Sequence, residues 1–157
     1  MFFKDEYFSL STFHRSPFTM MVGDKLCEFL CIEAAYQAQK VPHIADKFSQ
    51  VQGLEAKRLD KTLKITRDNW EDYKLYAMAN ALHAKYSNKL NLIYLKKIKD
   101  DIIFENDFKD SYWGYCVKTK QGKNYLGKML QFIRDNDNDL NKLYTYIKED
   151  LLGESGR

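Results

Sequence analysis

The sequence predicts a mainly helical α+β domain with a small β element near its N-terminus. Apolar residues recur at helical spacing after residue 31, whereas the first 31 residues mix aromatic side chains with turn formers. Only 2 Pro and 7 Gly occur among 157 residues, which excludes long flexible linkers. With 10 Phe and 11 Tyr to fill one core, residues 1–157 are expected to form a single compact domain.

The N-terminal segment predicts a β-hairpin. Phe18–Val22 and Leu26–Leu30 are short apolar runs, and the Gly23-Asp24 pair between them is typical of a tight turn. The hairpin is the β element of the predicted fold.

Two helices are predicted directly after the hairpin, over about 32–50 and 53–64. Pro42 is a weak breaker near the middle of the first, because proline lacks a backbone donor. The second is rich in Lys and Arg.

The clearest helix is predicted over about 68–87. Asp68 is a suitable N-cap residue, and Glu71 follows three residues later, as in a capping box. Asn88 or a neighbour is expected to end this helix.

The C-terminal part of the chain is expected to alternate helices with irregular segments. In order, the predicted elements are a helix near 89–99, a β-like run over Ile102–Glu105, an aromatic loop over 108–117, and closing helices over about 124–134 and 139–151.

Charge, cysteine usage and hydropathy narrow the class of protein. The 25 Lys and Arg against 22 Asp and Glu give a net charge of +3, which does not by itself indicate nucleic-acid binding. Three cysteines without CxxC spacing favour a reducing compartment, so a cytoplasmic location is expected. No apolar run approaches the about 20 residues of a membrane span, and no leader pattern is present, so a soluble protein is expected.

Metal and nucleotide motifs are weak in this chain. Gly122–Lys128 has the spacing of a phosphate-binding loop, but Met129 stands where Ser or Thr would hold magnesium, so a turn into a helix is predicted. The three histidines and three cysteines show no metal-ligand spacing, and no metal or other cofactor is expected.

Two segments carry candidate functional residues. Glu33, Gln37 and Lys40 lie on one stripe of a helix with small apolar neighbours, which indicates either a functional carboxylate or a solvated face with a Glu33–Gln37 pair. Trp113 lies in a predicted loop, where tryptophan either plugs a core or stacks on a ligand. Two basic clusters, over 57–67 and 118–128, are either solvated faces or phosphate-binding surfaces.

Taken in this order, these segments resemble the NADAR family of YbiA-like N-glycosidases over about residues 8–135. The matching residues include Glu33, Tyr36-Gln37-Ala38-Gln39-Lys40, Asn69-Trp70, Ala84-Lys85-Tyr86, Asp110 with Tyr112-Trp113-Gly114, and Gly122 with Asn124 and Leu126-Gly127. Ala34 and Asp60-Lys61 depart from the family pattern, which commonly has His and Gly-Arg at these positions.

The resemblance implies a compact, mainly helical hydrolase that cleaves a ribose C1–N bond without a cofactor. It implies that Glu33 stabilises positive charge on the sugar and orients the attacking water, and that Asp110 is the acid for the leaving nitrogen. The residues expected to contact substrate are Gln37, Lys40, Trp70, Lys85, Tyr112, Trp113, Gly114 and Asn124.

Three functions remain open at this point. The first expectation is removal of ADP-ribose from a modified base, guanine in DNA, so that ADP-ribosylated DNA would be the partner. The second is cleavage of a phosphorylated ribosylaminopyrimidine intermediate of riboflavin biosynthesis. The third is a non-catalytic module that binds ADP-ribose or nucleic acid. The basic clusters favour the first, because extended positive surface benefits a polyanionic substrate.

Overall fold

The computed structural model describes residues 5–104 and 111–153. Across these residues the chain is mainly helical with one two-stranded antiparallel sheet, which confirms the predicted fold class. The chain divides into two compact units, Thr12–Lys85 and Met1–Ser11 with Tyr86–Arg157, and each is described by itself. A single domain over 1–157 stays a prediction.

The hairpin near the N-terminus is confirmed. Strand β1 (Phe18–Val22) pairs antiparallel with β2 (Lys25–Phe29), one residue earlier than predicted for the second strand. Gly23 takes a φ of +60° in the turn, where a side chain would strain the backbone. Phe29 is buried, and its ring centroid lies 6.2 Å from that of Phe18.

The predicted helix over 32–50 is interrupted. Helix α1 covers only Ile32–Ala38, and the chain resumes as a 3-10 helix over Pro42–Phe48. Proline cannot donate the hydrogen bond that a continuous helix requires, but its fixed φ suits the first turn of a new one. Every residue of α1 is buried.

Helix α2 covers Gly53–Asp60 and ends four residues before the predicted boundary. Its first residue packs directly against the Phe13 ring, so that no side chain fits at Gly53. This contact joins the segment before β1 to the start of α2.

The long predicted helix is confirmed as α3 (Trp70–Tyr86), but its predicted cap is wrong. The helix begins after Asn69, which has a φ of +55° and whose carbonyl accepts the N–H groups of Asp72 and Tyr73. Glu71 pairs with Lys74 at 2.6 Å instead of reaching back in a capping box.

Helix α3 ends at Tyr86, close to its predicted end, and the next helix begins directly after Asn88. Its Oδ1 accepts the N–H of Leu90 at 2.9 Å and caps α4 (Lys89–Lys97). Of the predicted β-like run, the described residues 102–104 contain a single β-bridge at Ile103 but no strand; the end of the run, Glu105, lies outside the described residues.

The two closing helices are confirmed. Helix α5 covers Tyr125–Asp135, and α6 covers Leu140–Tyr146 before the chain continues as a π-helix over Ile147–Leu151. Their buried apolar residues are Leu126, Met129, Leu130, Ile133, Leu143 and Ile147. Within the described residues, no helix combines the length and apolar character needed to cross a membrane.

Candidate functional site

Helix α1 places a carboxylate inside the first unit. Glu33 is only 6% exposed, and Gln37, one turn later, donates from Nε2 to Glu33 Oε1 at 2.8 Å. Ala34, Ala35 and Ala38 are completely buried beside them. The two residues therefore pair as predicted. Because both are buried, the interpretation as a solvated helix face is wrong.

This pair leaves hydrogen-bonding capacity unused. Among the described residues, Gln37 Oε1 is buried without a donor, and the Glu33 side chain accepts from Gln37 alone through Oε1. Buried polar atoms are nearly always paired, so an acceptor without a donor is typical of a site that a ligand or water completes.

A buried lysine near the end of α3 contributes to the electrostatics of the first unit. Lys85 is 1% exposed, and burial lowers its pKa to about 8, an effect partly offset by Cys31. Burial also raises the pKa of the Cys31 thiol, and the Glu33 carboxylate adds to that rise. The pKa of His14 is lowered by burial and by Lys85. Cys31 is therefore close enough to Lys85 and to Glu33 for its charge to interact with each of them.

Two aromatic rings form a second part of the site. The Tyr36 and Trp70 ring centroids lie 5.3 Å apart with the planes tilted by 60°. Both residues are buried, and the Lys40 ammonium lies 5.8 Å from the Tyr36 centroid and 5.6 Å from the Trp70 centroid. Trp70, predicted to contact substrate, is thus held beside Lys40 by a long-range contact.

Lys40 also has an acidic partner that was not predicted. Its Nζ lies 3.0 Å from Oδ2 of Asp60, the last residue of α2. The backbone carbonyl of Lys40 accepts the N–H groups of Thr66 and Arg67 at 3.0 and 3.1 Å. No local sequence signal links residues 20 positions apart, so this pair is visible only in the fold.

The second unit contains the aromatic candidates. The Tyr112 ring packs edge-on against the rings of Trp113 and Tyr125, with centroid distances of 4.9 Å in both cases. The Gly114 carbonyl accepts the Asn124 N–H at 3.0 Å.

The side chain of Asn124 already makes two structural hydrogen bonds. Its Nδ2 donates to the Ile102 carbonyl at 2.9 Å, and its Oδ1 accepts the Phe104 N–H at 2.9 Å. The amide thus pairs with the backbone of 102–104 as a neighbouring strand would. Any side chain at Gly127 would collide with this amide.

The structure thus groups the predicted residues by unit. Glu33, Gln37, Lys40, Trp70 and Lys85 belong to the first, whereas Tyr112, Trp113, Gly114 and Asn124 belong to the second. Asp110 lies outside the described residues. Their roles in binding and catalysis stay predictions. Across 5–104 and 111–153, no three His, Cys, Asp or Glu side chains are placed to share a metal ion.

Three comparisons with known proteins agree with one another. A family model described as the NADAR domain matches residues 1–136. The chain is 32% identical over 120 residues to an N-glycosidase of Nostoc punctiforme. The aligned residues cover 69% of this chain and 74% of that protein. The fold of this chain matches the NMR structure of the E. coli protein YbiA with a TM-score of 0.71 and 26% identity. The match covers 91% of this chain and 86% of the YbiA chain.

Proposed function

Because the chain belongs to the NADAR family, we propose that it is an N-glycosidase that hydrolyses the bond between a ribose C1 and a nucleobase nitrogen. The Nostoc relative is named for an activity of this kind. The single observation that supports the proposal most is the buried Glu33 carboxylate, which Gln37 holds through Oε1.

The chemistry of C–N cleavage explains why a carboxylate in this position is useful. As the bond breaks, positive charge develops on C1 and the ring oxygen of the sugar, and a nearby carboxylate stabilises it. Gln37 orients Glu33 through one oxygen, and among the described residues the other oxygen has no donor, so it is available to the sugar or to the attacking water.

The leaving nitrogen needs a proton or a hydrogen-bond donor to depart. We assign that role to Asp110, which would act as a general acid if it is protonated in the substrate complex. Lys85 is assigned a contact to the sugar or its phosphates. Trp113 and Tyr112 are assigned to the base, because aromatic rings and nucleobases stack favourably.

For the substrate, we propose ADP-ribose attached to guanine in DNA. The exposed basic residues of α2 and the following turn support this choice, since none of them forms an ion pair with another described residue; they are Lys57, Arg58, Lys61 and Lys64. Lys57 Nζ also lies 5.3 Å from the centroid of the Phe13 ring, which is 38% exposed. Cations beside an exposed ring suit a nucleic acid strand better than a small metabolite.

The first test compares two substrates and two variants. Purified protein is incubated with an oligonucleotide carrying ADP-ribosylated guanine and, separately, with a phosphorylated ribosylaminopyrimidine, and the released base is measured by mass spectrometry. Glu33→Gln is expected to slow turnover of the oligonucleotide by about 1,000-fold, the effect of losing a group that stabilises transition-state charge. Glu28→Gln is the matched control, because Glu28 lies exposed on β2.

Each outcome assigns a function. Glu33-dependent turnover of the oligonucleotide supports the proposal. Turnover of only the small substrate would show that the substrate is a metabolite and not DNA. Binding of ADP-ribose without cleavage of either substrate would overturn the proposed enzymatic activity and favour a binding module.

A further inference from the structure

The Lys40–Asp60 salt bridge beside the Tyr36 and Trp70 rings is not explained by the proposed hydrolysis. The two side chains are 14% and 24% exposed, so both charges have lost much of their hydration. Pairing offsets that cost only in part, and a largely buried ion pair is therefore weak support for a purely stabilising role.

The backbone holds this pair in place. Lys40 lies two residues after the end of α1, and its carbonyl accepts the N–H groups of Thr66 and Arg67. Arg67 Nε also donates to the Gln39 carbonyl at 2.6 Å. Asp60 ends α2. The backbone of Lys40 is thus held by hydrogen bonds and that of Asp60 by the last turn of α2, so the carboxylate is expected to stay beside Lys40 when a ligand approaches the two rings.

We propose that the Lys40–Asp60 pair is a subsite for the two neighbouring hydroxyls of a ribose, and that Asp60 keeps phosphate groups away from Lys40. The inference rests on the proposed N-glycosidase function, because it names the part of that substrate which lies beside the Trp70 ring. Asp60 is then a specificity residue rather than a catalytic one.

The donors and acceptors of the pair match a ribose diol. An ammonium has three donors, of which Asp60 takes one, and a carboxylate can accept further hydrogen bonds. One sugar hydroxyl accepts from Lys40 while the other donates to Asp60. Acidic residues bind ribose hydroxyls in the same way in dinucleotide-binding folds, where a phosphate on that sugar requires an arginine instead.

A phosphate in this position would meet a repulsive charge. Any phosphate oxygen that hydrogen-bonds to Lys40 would lie within about 6 Å of the Asp60 carboxylate, and like charges at that distance repel strongly where water is partly excluded. The pair therefore selects by charge: it accepts a neutral sugar and rejects an anion.

The test uses two simple probes with opposite expected responses. Inorganic phosphate and methyl β-D-ribofuranoside are titrated separately into the wild-type protein and Asp60→Asn, and the indole N–H signal of Trp70 is followed by NMR. The chain has only 2 Trp, so Trp113→Phe assigns that signal. Asp60→Asn is expected to tighten phosphate binding about 10-fold and to weaken riboside binding about 5-fold, because the repulsion and a charged acceptor disappear together.

Three further variants test whether the effect comes from the Lys40–Asp60 pair. Lys40→Gln in the Asp60→Asn background is expected to abolish the gain in phosphate binding. Asp46→Asn is the matched control, because Asp46 pairs with Lys25 at 3.1 Å on an exposed part of the same unit, and it should change neither titration. Asp60→Ser removes the same charge with a smaller side chain and gives an independent measurement if Asp60→Asn melts at a lower temperature.

Equal phosphate affinity in the wild type and both Asp60 variants would overturn the inference, as would changes of both probes in the same direction. Neither titration requires turnover. If the two probes respond oppositely but no glycosidic bond is cleaved in the substrate assay, the ribose subsite stands and the proposed activity falls.

Discussion

The buried Glu33–Gln37 pair of α1 and the half-buried Asn124 side chain before α5 use their hydrogen bonds differently. Both atoms of the Asn124 amide are bonded to backbone, whereas Gln37 Oε1 is buried without a donor among the described residues. Unused capacity at a buried polar atom carries a cost that only a ligand or water relieves. This difference favours a structural role for Asn124 and is consistent with the binding role proposed for the Glu33–Gln37 pair.

The largest change in stability is expected at Asn124. Asn124→Ala removes the hydrogen bonds to the Ile102 carbonyl and the Phe104 N–H, and it places Ala at a φ of +50°, which Asn tolerates better. We expect the free energy of unfolding to fall by about 4 kcal/mol, measured by urea denaturation. Asn136→Ala, which removes one bond at the end of α5, is the control and should lose about 1 kcal/mol. Equal losses of unfolding free energy in the two variants would contradict a special structural role for Asn124.

The buried Lys85 amine is expected to make stability depend on pH. Its pKa is lowered from 10.5 to about 8, so between these values the unfolded chain binds a proton that the folded protein does not, and stability rises with pH. Below pH 8 the folded protein bears the full cost of burying the charge. Lys85→Met should therefore be more stable than the wild type at pH 7, and this advantage should shrink by about 3 kcal/mol by pH 10.5.

Urea denaturation of both proteins at several pH values measures this difference. Lys89→Met, at the exposed start of α4, is the control and should show no such trend. A Lys85→Met advantage that is the same at pH 7 and pH 10.5 would contradict the lowered pKa.

A smaller change in stability is expected at Gln37. Gln37→Leu loses the hydrogen bond to Glu33 but also removes the acceptor that has no donor, so the two effects partly cancel and stability should fall by about 1 kcal/mol or less. Turnover should fall about 10-fold, because Glu33, the carboxylate proposed to be catalytic, is no longer oriented. A large loss of stability with unchanged turnover would give Gln37 the role that we assign to Asn124.

The salt dependence of oligonucleotide turnover is expected to change when the basic residues of α2 are substituted. Reversing the charges of Lys57, Arg58 and Lys61 should lower kcat/KM for a modified oligonucleotide and flatten its dependence on salt, because fewer counterions are released. The same variant should act normally on an ADP-ribosylated guanosine. Reversal of Lys89, Lys96 and Lys97 in α4 is the control. Equal effects of the two triple variants would remove the DNA-binding role from α2.

The hairpin and most helix positions could be predicted because their signals are local. The Gly23-Asp24 turn and the apolar spacing over 68–87 act within a few residues, and both elements are confirmed. The cap of α3 was predicted wrongly, because the chain turns at Asn69 with a φ of +55° and the helix begins one residue later than the capping pattern indicates. Over 102–104 the backbone pairs with the distant Asn124 amide, a partner that the local pattern does not reveal.

The same distinction between local and long-range signals applies to the candidate site. The sequence by itself determined that Glu33 and Gln37 pair, since residues four apart on a helix face one another. Only the tertiary structure decided that this pair is buried, that Trp70 lies against Tyr36, and that Asp60 reaches Lys40. Burial and long-range pairing depend on how distant segments pack, and packing energy is shared among many residues rather than encoded in any one spacing.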